Sequence, residues 1–451
     1  MKKKAFDLLT LGEILLRLSP PDNERIVRGE TFQKQVGGAE LNVASGVSLL
    51  GLRSGIISRI PDSSIGMFAK NKIRFCGVSD DYLVYDTGKD ARLGVYYYEN
   101  GAYPRKPGVV YDRQHSSMTR IDIDEFDDSI YESTRCFHTS GITLALSEEC
   151  RKTGVEMIKR FKEKGTLISF DVNFRLNLWS GEEARKCIEG ILPYVDIFFC
   201  SEDTARLTFG KEGNVKEIME SFAAEYPISV IASTQRTVLS PKIHNFTSVI
   251  YDAKAKKFYE EKPYENIEVV DRIGSGDAYC SGVLYGLLRE GGGCASALRY
   301  GNASSAAKNT IPGDMPSLDR EEIENIIVAL AEQAEKAGFS VNNLLSANEN
   351  QMELVNQSKK SFDAIRDDIR DIQVKIDEEY NYMDNITTSN NEITQQIESL
   401  SAFSEELLAN TENTQELSNK TINGSRNINN LLDDVMKEVS ILQMIIDSKD
   451  E

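Results

Sequence analysis

The sequence predicts an α/β fold, a mostly parallel sheet with helices on both faces, followed by a long helical tail. Three observations carry this expectation. Short apolar runs rich in β-formers alternate with helical patterns through the first three quarters of the chain, the rhythm of repeated β–α units. Glycine turns join the two kinds of run, as at Gly37-Gly38 and Gly274-Ser275-Gly276. After Gly338 the composition changes: all 11 prolines and all 7 cysteines precede it, and a single glycine, Gly424, follows. Residues 341–451 hold 22 acids and 9 bases, so about −13 of the net charge of −19 falls on the tail and about −6 on the rest.

In chain order, a first strand is read at Phe6–Leu11. Val36-Gly37-Gly38 enters a helix over 39–50, stopped by Gly51. Strands at 92–98 and 109–111 are aromatic and flank a loop at 101–108. They fit the β–α rhythm poorly and suggest a small antiparallel lid. A helix over 147–164 ends at Gly165 and precedes a strand at 167–170, which runs into Asp171. Further strands are expected at 196–199 and 229–231, and Val269-Val270 reads as the end of another. Helices follow over 277–289 and 295–308. A last one starts near Asp319, with Glu322 as capping-box partner, and ends at Gly338. In such sheets a ligand sits beyond the carboxyl ends of the strands.

The tail keeps one helical period. A 3–4 spacing runs from Phe362 through Ile365, Ile369 and Ile372, past Met383 to Ile393, Leu400, Leu407 and Thr414, and on to Ile446. About twelve heptads without a register shift predict a coiled coil, a single helix of ~125 Å. Its seam turns polar from Ser404 to Ser425. One such helix cannot bury its stripe alone; the partner is another copy, a separate protein, or the same helix folded back near Gly424.

At 451 residues the chain suggests two or three units. The negative charge argues against non-specific nucleic-acid binding. Seven cysteines without a C-x-x-C pair fit reduced thiols and a cytoplasmic protein. The basic start, Met1 to Lys4, is followed by Asp7 and Glu13, which argues against a signal peptide, and no run reaches the ~18–20 apolar residues of a membrane span.

The stretch Asp271-Arg272-Ile273-Gly274-Ser275-Gly276-Asp277 bears most of the chemistry. A glycine turn feeding a helix presents free N–H groups and the positive end of the helix dipole to anionic oxygens. A carboxylate beside that cradle, Asp277, is placed to deprotonate a hydroxyl that attacks a phosphate. A capped βα turn would look the same. Three groups are candidates to join it. Gly37-Gly38-Ala39-Glu40-Leu41-Asn42 either holds hydroxyls or is a close-packed turn. Tyr96 with Tyr111 and Arg113 either binds an acidic polyol or is strand surface. Asp171 to Arg175 offers either a carboxylate or phosphate ligand, Arg175, or a structural ion pair. No metal-ligand spacing occurs, His115, His138 and His244 are isolated, and no G-x-x-x-x-G-K-[ST] is present.

These motifs together resemble the ribokinase-like, phosphofructokinase-B-type carbohydrate kinases. The likeness, over residues 5 to about 337, is nearest to 2-keto-3-deoxygluconate kinases. It rests on the D-x-x-G-x-G-D stretch, Gly12-Glu13, 37–44, 94–96, 110–113, 138–143 and 171–179. The resemblance implies a kinase unit at 1–338, with lid strands at about 13–36 and 91–112. It implies ATP-dependent phosphorylation of a sugar hydroxyl with Mg²⁺, a monovalent cation being a further candidate. Asp277 would be the general base, and the N–H groups of Gly274, Ser275 and Gly276 the anion hole. Gly37, Gly38, Asn42, Tyr96, Tyr111, Arg113 and Arg175 would hold the sugar acid. Ser201, Arg236, Gly274, Gly276 and Asn302 would face ATP. The lid would also make a dimer clasp. Two motifs depart from the family: Ser201-Glu202-Asp203-Thr204 replaces N-x-x-E, leaving Glu202 or Asp203 to place the metal, and no G-x-x-G stands near Arg236. The substrate alternatives are fructose and 5-dehydro-2-deoxygluconate.

The tail, 339–451, is similar at 349–376 and 390–411 to the C-terminal helix of methyl-accepting chemoreceptor signalling domains. Residues 401–409 resemble their methylation sites, with Glu405-Glu406 as the modified pair, although Asn410 departs from the usual small residue. This implies a different class of function: a signalling or scaffold protein whose kinase unit senses a sugar.

Overall fold

The structure is a computed structural model that describes residues 4–380 and 386–447, with side chains outside 329–342, 374–392 and 426–447. The chain divides into two compact units, Met1–Ala334 with Asp433–Glu451, and Glu335–Leu432.

The first unit opens with β1 (Phe6–Leu11), β2 (Leu15–Ser19), β3 (Gln33–Gly37), α1 (Ala39–Leu49), β4 (Ser54–Pro61), α2 (Ser64–Phe75) and β5 (Ser79–Asp86). Then come β6 (Gly94–Glu99), β7 (Gly108–Asp112), β8 (Thr134–Ser140), α3 (Gly141–Ala145), α4 (Glu148–Glu163), β9 (Leu167–Asp171) and α5 (Gly181–Ile191). After these run β10 (Ile197–Phe199), α6 (Glu202–Phe209), α7 (Val215–Glu225), β11 (Val230–Ser240), β12 (Ile243–Asp252), β13 (Lys257–Glu260) and β14 (Tyr264–Glu268). The last elements are α8 (Ser275–Leu288), α9 (Cys294–Asn309), α10 (Arg320–Tyr380) and α11 (Ile386–Asp447).

The main sheet has the order β13-β12-β11-β10-β9-β8-β1-β4-β5, with β14 also on β12. From β11 to β5 every pairing is parallel; β12 pairs antiparallel with β11, β13 and β14. Period-two alternation splits the strand side chains between two cores. Leu9, Phe137 and Phe198 face one, with Phe161 of α4 and Phe222 of α7. Leu8, Cys136, Ile197 and Phe199 face the other, with Val43 of α1, Val283 of α8 and Ala303 of α9.

The lid is a separate four-stranded sheet, β3-β2-β6-β7. It is not wholly antiparallel as expected: β2 and β6 run parallel, because the chain makes a whole β–α excursion between them. Val269 and Val270 fall outside the strand expected there. β14 stops at Glu268 and pairs antiparallel with β12, so the turn into α8 is fed by a loop. The capping box at Asp319 forms: the Glu322 N–H donates to Asp319 Oδ1 at 3.0 Å, and the Asp319 N–H to Glu322 Oε2 at 2.9 Å. The helix it starts does not end at Gly338 but continues to Tyr380.

In the second unit the expected single rod is two helices. Phe362 of α10 and Phe403 of α11 meet, ring centroids 5.7 Å apart. They sit at nearly equal distances from the break between α10 and α11, so the helices run antiparallel and the partner for the stripe comes from the same chain. Seam positions Leu344, Gln351, Ile365 and Ile369 on one helix and Ile393, Leu407, Thr414 and Thr421 on the other are half-buried; none of the described side chains here is fully buried. Met383, expected in the seam, lies outside the described residues.

Candidate active site

A cavity of about 560 Å³ opens in the first unit at the carboxyl ends of β9 and β10 and along β11. Asp171 and Phe199 mark those strand ends, and β11 contributes Ala232, Thr234 and Arg236; the first turns of α1 and α8 close the floor, and Tyr96 and Tyr111 of the lid form the roof. This is where an open parallel sheet places its ligand.

The turn into α8 is shaped by a close approach. Gly274 has φ 77°, and a Cβ there would lie 1.9 Å from the carbonyl oxygen of Asp314, so only glycine fits. The first N–H groups of a helix lack intrahelical acceptors. That of Ser275 leans to the Arg272 carbonyl at 3.3 Å, while those of Gly274, Gly276 and Asp277 have no acceptor among the described residues. An anion facing the turn meets these donors and the helix dipole.

Asp277 stands on this turn in the cavity wall, its Oδ2 accepting a 2.7 Å hydrogen bond from Asn42 Nδ2. Burial of the carboxyl raises its pKa to about 7 against that hydrogen bond, and the nearby Asp171 and Glu40 add to the rise. Asp171 is raised to about 6, mainly by burial, with the Asn173 N–H opposing. Glu40, fully enclosed, accepts from Ser140 Oγ and Thr143 Oγ1 and is also raised by burial. A carboxylate tuned to neutrality is suited to take a proton and give it up.

Beside the turn lies a charged lattice that the sequence did not reveal. Arg17 Nη1 of β2 bonds Asp271 Oδ2 at 2.7 Å and Asp314 Oδ1 at 2.8 Å, and all three are buried. Tyr96 donates its hydroxyl to Asp314 Oδ2. Asp271 also accepts the N–H groups of Ile273 and Gly313, both at 3.0 Å. The signal available for Arg17 was a lone charge within the apolar strand Leu15–Ser19, which requires a buried acid partner. Nothing local identifies that partner some 300 residues on.

On the sugar side, Gly38 has φ 144° and lies against the Glu13 carbonyl, bringing backbone to the cavity wall. Gly37 backs the wall instead, packed on Asp314. Asn42 spends its amide N–H on Asp277, and its Oδ1 is buried without a partner. Arg113 lines the cavity but is held by Glu13: Nε donates to Oε2 at 2.8 Å, and Nη2 donates to the same oxygen. Arg175 lines the cavity with no ion pair among the described residues.

At the other end, Arg236 and Arg272 line the cavity with no acidic partner among the described residues. Burial lowers the Arg236 pKa, and Arg272 adds to this. Two guanidiniums lining one end of the cavity, each within electrostatic reach of the other, suit a polyphosphate. Ser201 lines the cavity, its hydroxyl capping α6 through the Thr204 N–H at 3.2 Å. Glu202 and Asp203 do not line it, and Glu202 pairs with Arg206 at 2.6 Å. Asn302 is buried in α9 and accepts from Ser248 Oγ at 2.6 Å.

Residues 5–321 match the model of the pfkB family carbohydrate kinases. This chain belongs to that family. It is 35% identical to a 2-dehydro-3-deoxygalactonokinase of Haloferax volcanii over 71% of its length and 96% of the relative's. It is 27% identical to a 5-dehydro-2-deoxygluconokinase of Clostridium beijerinckii over 72% of this chain and 94% of that one. The crystal structure of a 2-dehydro-3-deoxygluconokinase from Thermotoga maritima superposes with a TM-score of 0.66 at 33% identity, covering 69% of this chain and 96% of the other.

The pfkB matches lie on the kinase unit, and the fold is the ribokinase-like α/β fold. Within this carbohydrate kinase, the folding of the chain gathers Gly38, Asn42, Tyr96, Tyr111, Arg113, Arg175, Ser201, Arg236 and 274–277 around one cavity. Gly37, Glu202, Asp203 and Asn302 stand outside its lining. Arg17, Glu13, Asp171, Arg272 and Asp314 complete the site. Of these, Glu13, Asp171 and Arg272 belong to motifs visible in the sequence.

Proposed function

We propose that this carbohydrate kinase transfers the γ-phosphoryl group of ATP to a hydroxyl of a 2-keto-3-deoxy sugar acid, 2-keto-3-deoxygluconate yielding its 6-phosphate. The observation that carries this reading is the Asp277 carboxyl, tuned to about 7, beside the unpartnered N–H groups of Gly274 and Gly276. The sugar hydroxyl sits between Asp277 and the anion cradle. Asp277 takes its proton as the oxygen attacks the γ-phosphorus. The bond from that phosphorus to the bridging oxygen breaks, leaving ADP. Charge on the moving group is met by the first turn of α8, and charge on the leaving diphosphate by Arg236 and Arg272. Mg²⁺ carried with the nucleotide supplies further neutralisation of phosphate charge. Glu202 and Asp203 do not fit as its holders, since Glu202 is spent on Arg206 and neither lines the cavity.

Arg175, without an ionic partner among the described residues, is the group that meets the substrate carboxylate; Arg113, already half-neutralised by Glu13, supports it with Tyr96 and Tyr111. The names of the relatives agree with a dehydro-deoxy sugar acid. A panel of 2-keto-3-deoxygluconate, its galacto epimer, 5-dehydro-2-deoxygluconate and fructose in a coupled ADP assay tests the substrate. The highest kcat/KM falls on a 2-keto-3-deoxy acid; a preference for fructose overturns the assignment.

The reading includes a cytoplasmic homo-oligomer. Support comes from the exposed apolar edge strand of the lid, Val109 and Val110 beside Tyr111, and from the half-covered tail hairpin. No described helix is long and apolar enough to cross a membrane. A second reading, a sugar sensor with a chemoreceptor-like tail, draws on the antiparallel packing of α10 and α11 and on the exposure of Glu405 and Glu406. Sugar-acid binding without any phosphosugar from Mg²⁺-ATP favours it.

A further inference from the structure

Lys308, near the end of α9, is among the largest fully enclosed side chains of the molecule, 1% exposed. Its ammonium donates to the main-chain carbonyls of Ile311 at 3.0 Å and Asp271 at 3.4 Å, and it makes no ion pair among the described residues. A buried ammonium without a carboxylate against it is costly. Burial lowers its pKa to about 8, against the attraction of Asp271 and Asp314 and with the repulsion of Arg17.

The two carbonyls belong to the two segments that meet at the anion cradle. Asp271 opens the stretch that turns at Gly274 and enters α8. Ile311 opens the loop whose Asp314 carbonyl presses on Gly274. The segments are joined elsewhere by the Gly313 N–H on Asp271 Oδ2 and by the Val270 and Asp271 N–H groups on the Asn309 carbonyl. A compact cation held by carbonyl oxygens of two loops is the arrangement in which protein carbonyls replace the hydration shell of a monovalent ion. Here the cation is covalently attached.

We propose that the Lys308 ammonium is a built-in monovalent cation. It ties the Asp271 and Ile311 carbonyls together, holds the N–H groups of the cradle in place, and frees phosphoryl transfer from any need for K⁺ or NH₄⁺. The proposal rests on the kinase reading above and makes Lys308 a positioning residue, since it touches neither substrate. The plainer role is a lysine closing the C-terminal turn of α9. The two differ in what a free ion can replace.

The test compares the full-length wild type with Lys308→Ala and Lys308→Met in buffer whose only monovalent cation is tetramethylammonium, and then with K⁺ or NH₄⁺ added. The wild-type kcat does not change on addition. Lys308→Ala loses about 10–100-fold in kcat, the scale of a damaged oxyanion site, and K⁺ or NH₄⁺ restores a large part of it. Lys308→Met, which fills the space without charge, is not restored. Melting temperature gives a readout independent of turnover: K⁺ raises it for Lys308→Ala and leaves the wild type unchanged. This arm still tests the cation role if no sugar on the panel is phosphorylated. A wild type that needs K⁺, a Lys308→Ala enzyme that is fully active without it, or a folded Lys308→Ala enzyme that no monovalent ion restores or stabilises overturns the proposal.

Discussion

Near neutral pH the Asp277 carboxyl is close to half-ionised, which gives the candidate base a visible pH signature. Its pKa of about 7 arises first from burial and then from Asp171 and Glu40, with Asn42 opposing. The base works only when deprotonated, so kcat/KM should fall tenfold per pH unit below about 7 and level off above. Asp171→Asn removes a neighbouring negative charge and should shift that limb to lower pH. An unchanged limb would detach Asp277 from it. The linkage sign is also fixed. A carboxyl whose folded pKa is raised binds its proton more tightly folded than unfolded, so stability falls as pH rises from about 4 to about 7 and stays lower above. Asp277→Asn should therefore melt no lower than wild type at pH 8. The residues of the anion turn, Asp277 among them, were legible because their chemistry is local: a glycine turn, a helix start, an acid. Arg17, Asp314 and Lys308 were not, because each acquires meaning only from partners distant in sequence. Arg113 read as a holder of the sugar acid, and its pairing with Glu13 shows why one residue type alone cannot say whether a charge is spoken for.

Among the elements, the loop-to-α8 turn is the most constrained. Gly274→Ala must move either the turn or the Asp314 carbonyl, because Cβ would sit 1.9 Å from that oxygen. Either movement displaces the cradle, and kcat should drop by about 100-fold or more, the scale of losing an oxyanion donor. Sugar affinity, measured by calorimetry without nucleotide, should change little. A near-wild-type kcat would mean that the turn does not carry the transferring charge. The strong β–α units, such as Glu148–Glu163 with Leu167–Asp171, were readable from periodicity and glycine stops. The hairpin β11–β12 and the neighbouring β13 and β14 were not, since antiparallel strands at the end of a parallel sheet break the rhythm on which the reading relied. The tail misled for a different reason. A 3–4 apolar stripe serves a partner in the same chain as well as one in another, and neither glycine nor proline stands between α10 and α11.

For the whole molecule, the kinase unit holds the complete cavity, with every lining residue before 315. Deleting residues 341–451 should therefore leave kcat and KM for the sugar acid near wild type. The tail hairpin leaves Met352, Leu354, Val355, Leu408 and Leu417 exposed, more apolar surface than a lone hairpin keeps in water. Light scattering should then show fewer subunits for the truncated chain than for the full one. Equal subunit numbers would assign assembly to the lid alone. Loss of turnover on truncation would instead support the sensor reading, in which tail and kinase act together.

The central claim is tested most directly by ADP release when 2-keto-3-deoxygluconate is added to the full chain with Mg²⁺-ATP, wild type beside Asp277→Asn. Wild type should release ADP only with the sugar acid present, and the variant should be slower by about 10²–10⁴-fold, the range of general-base catalysis. Equal sugar-dependent rates in the two proteins would contradict the account.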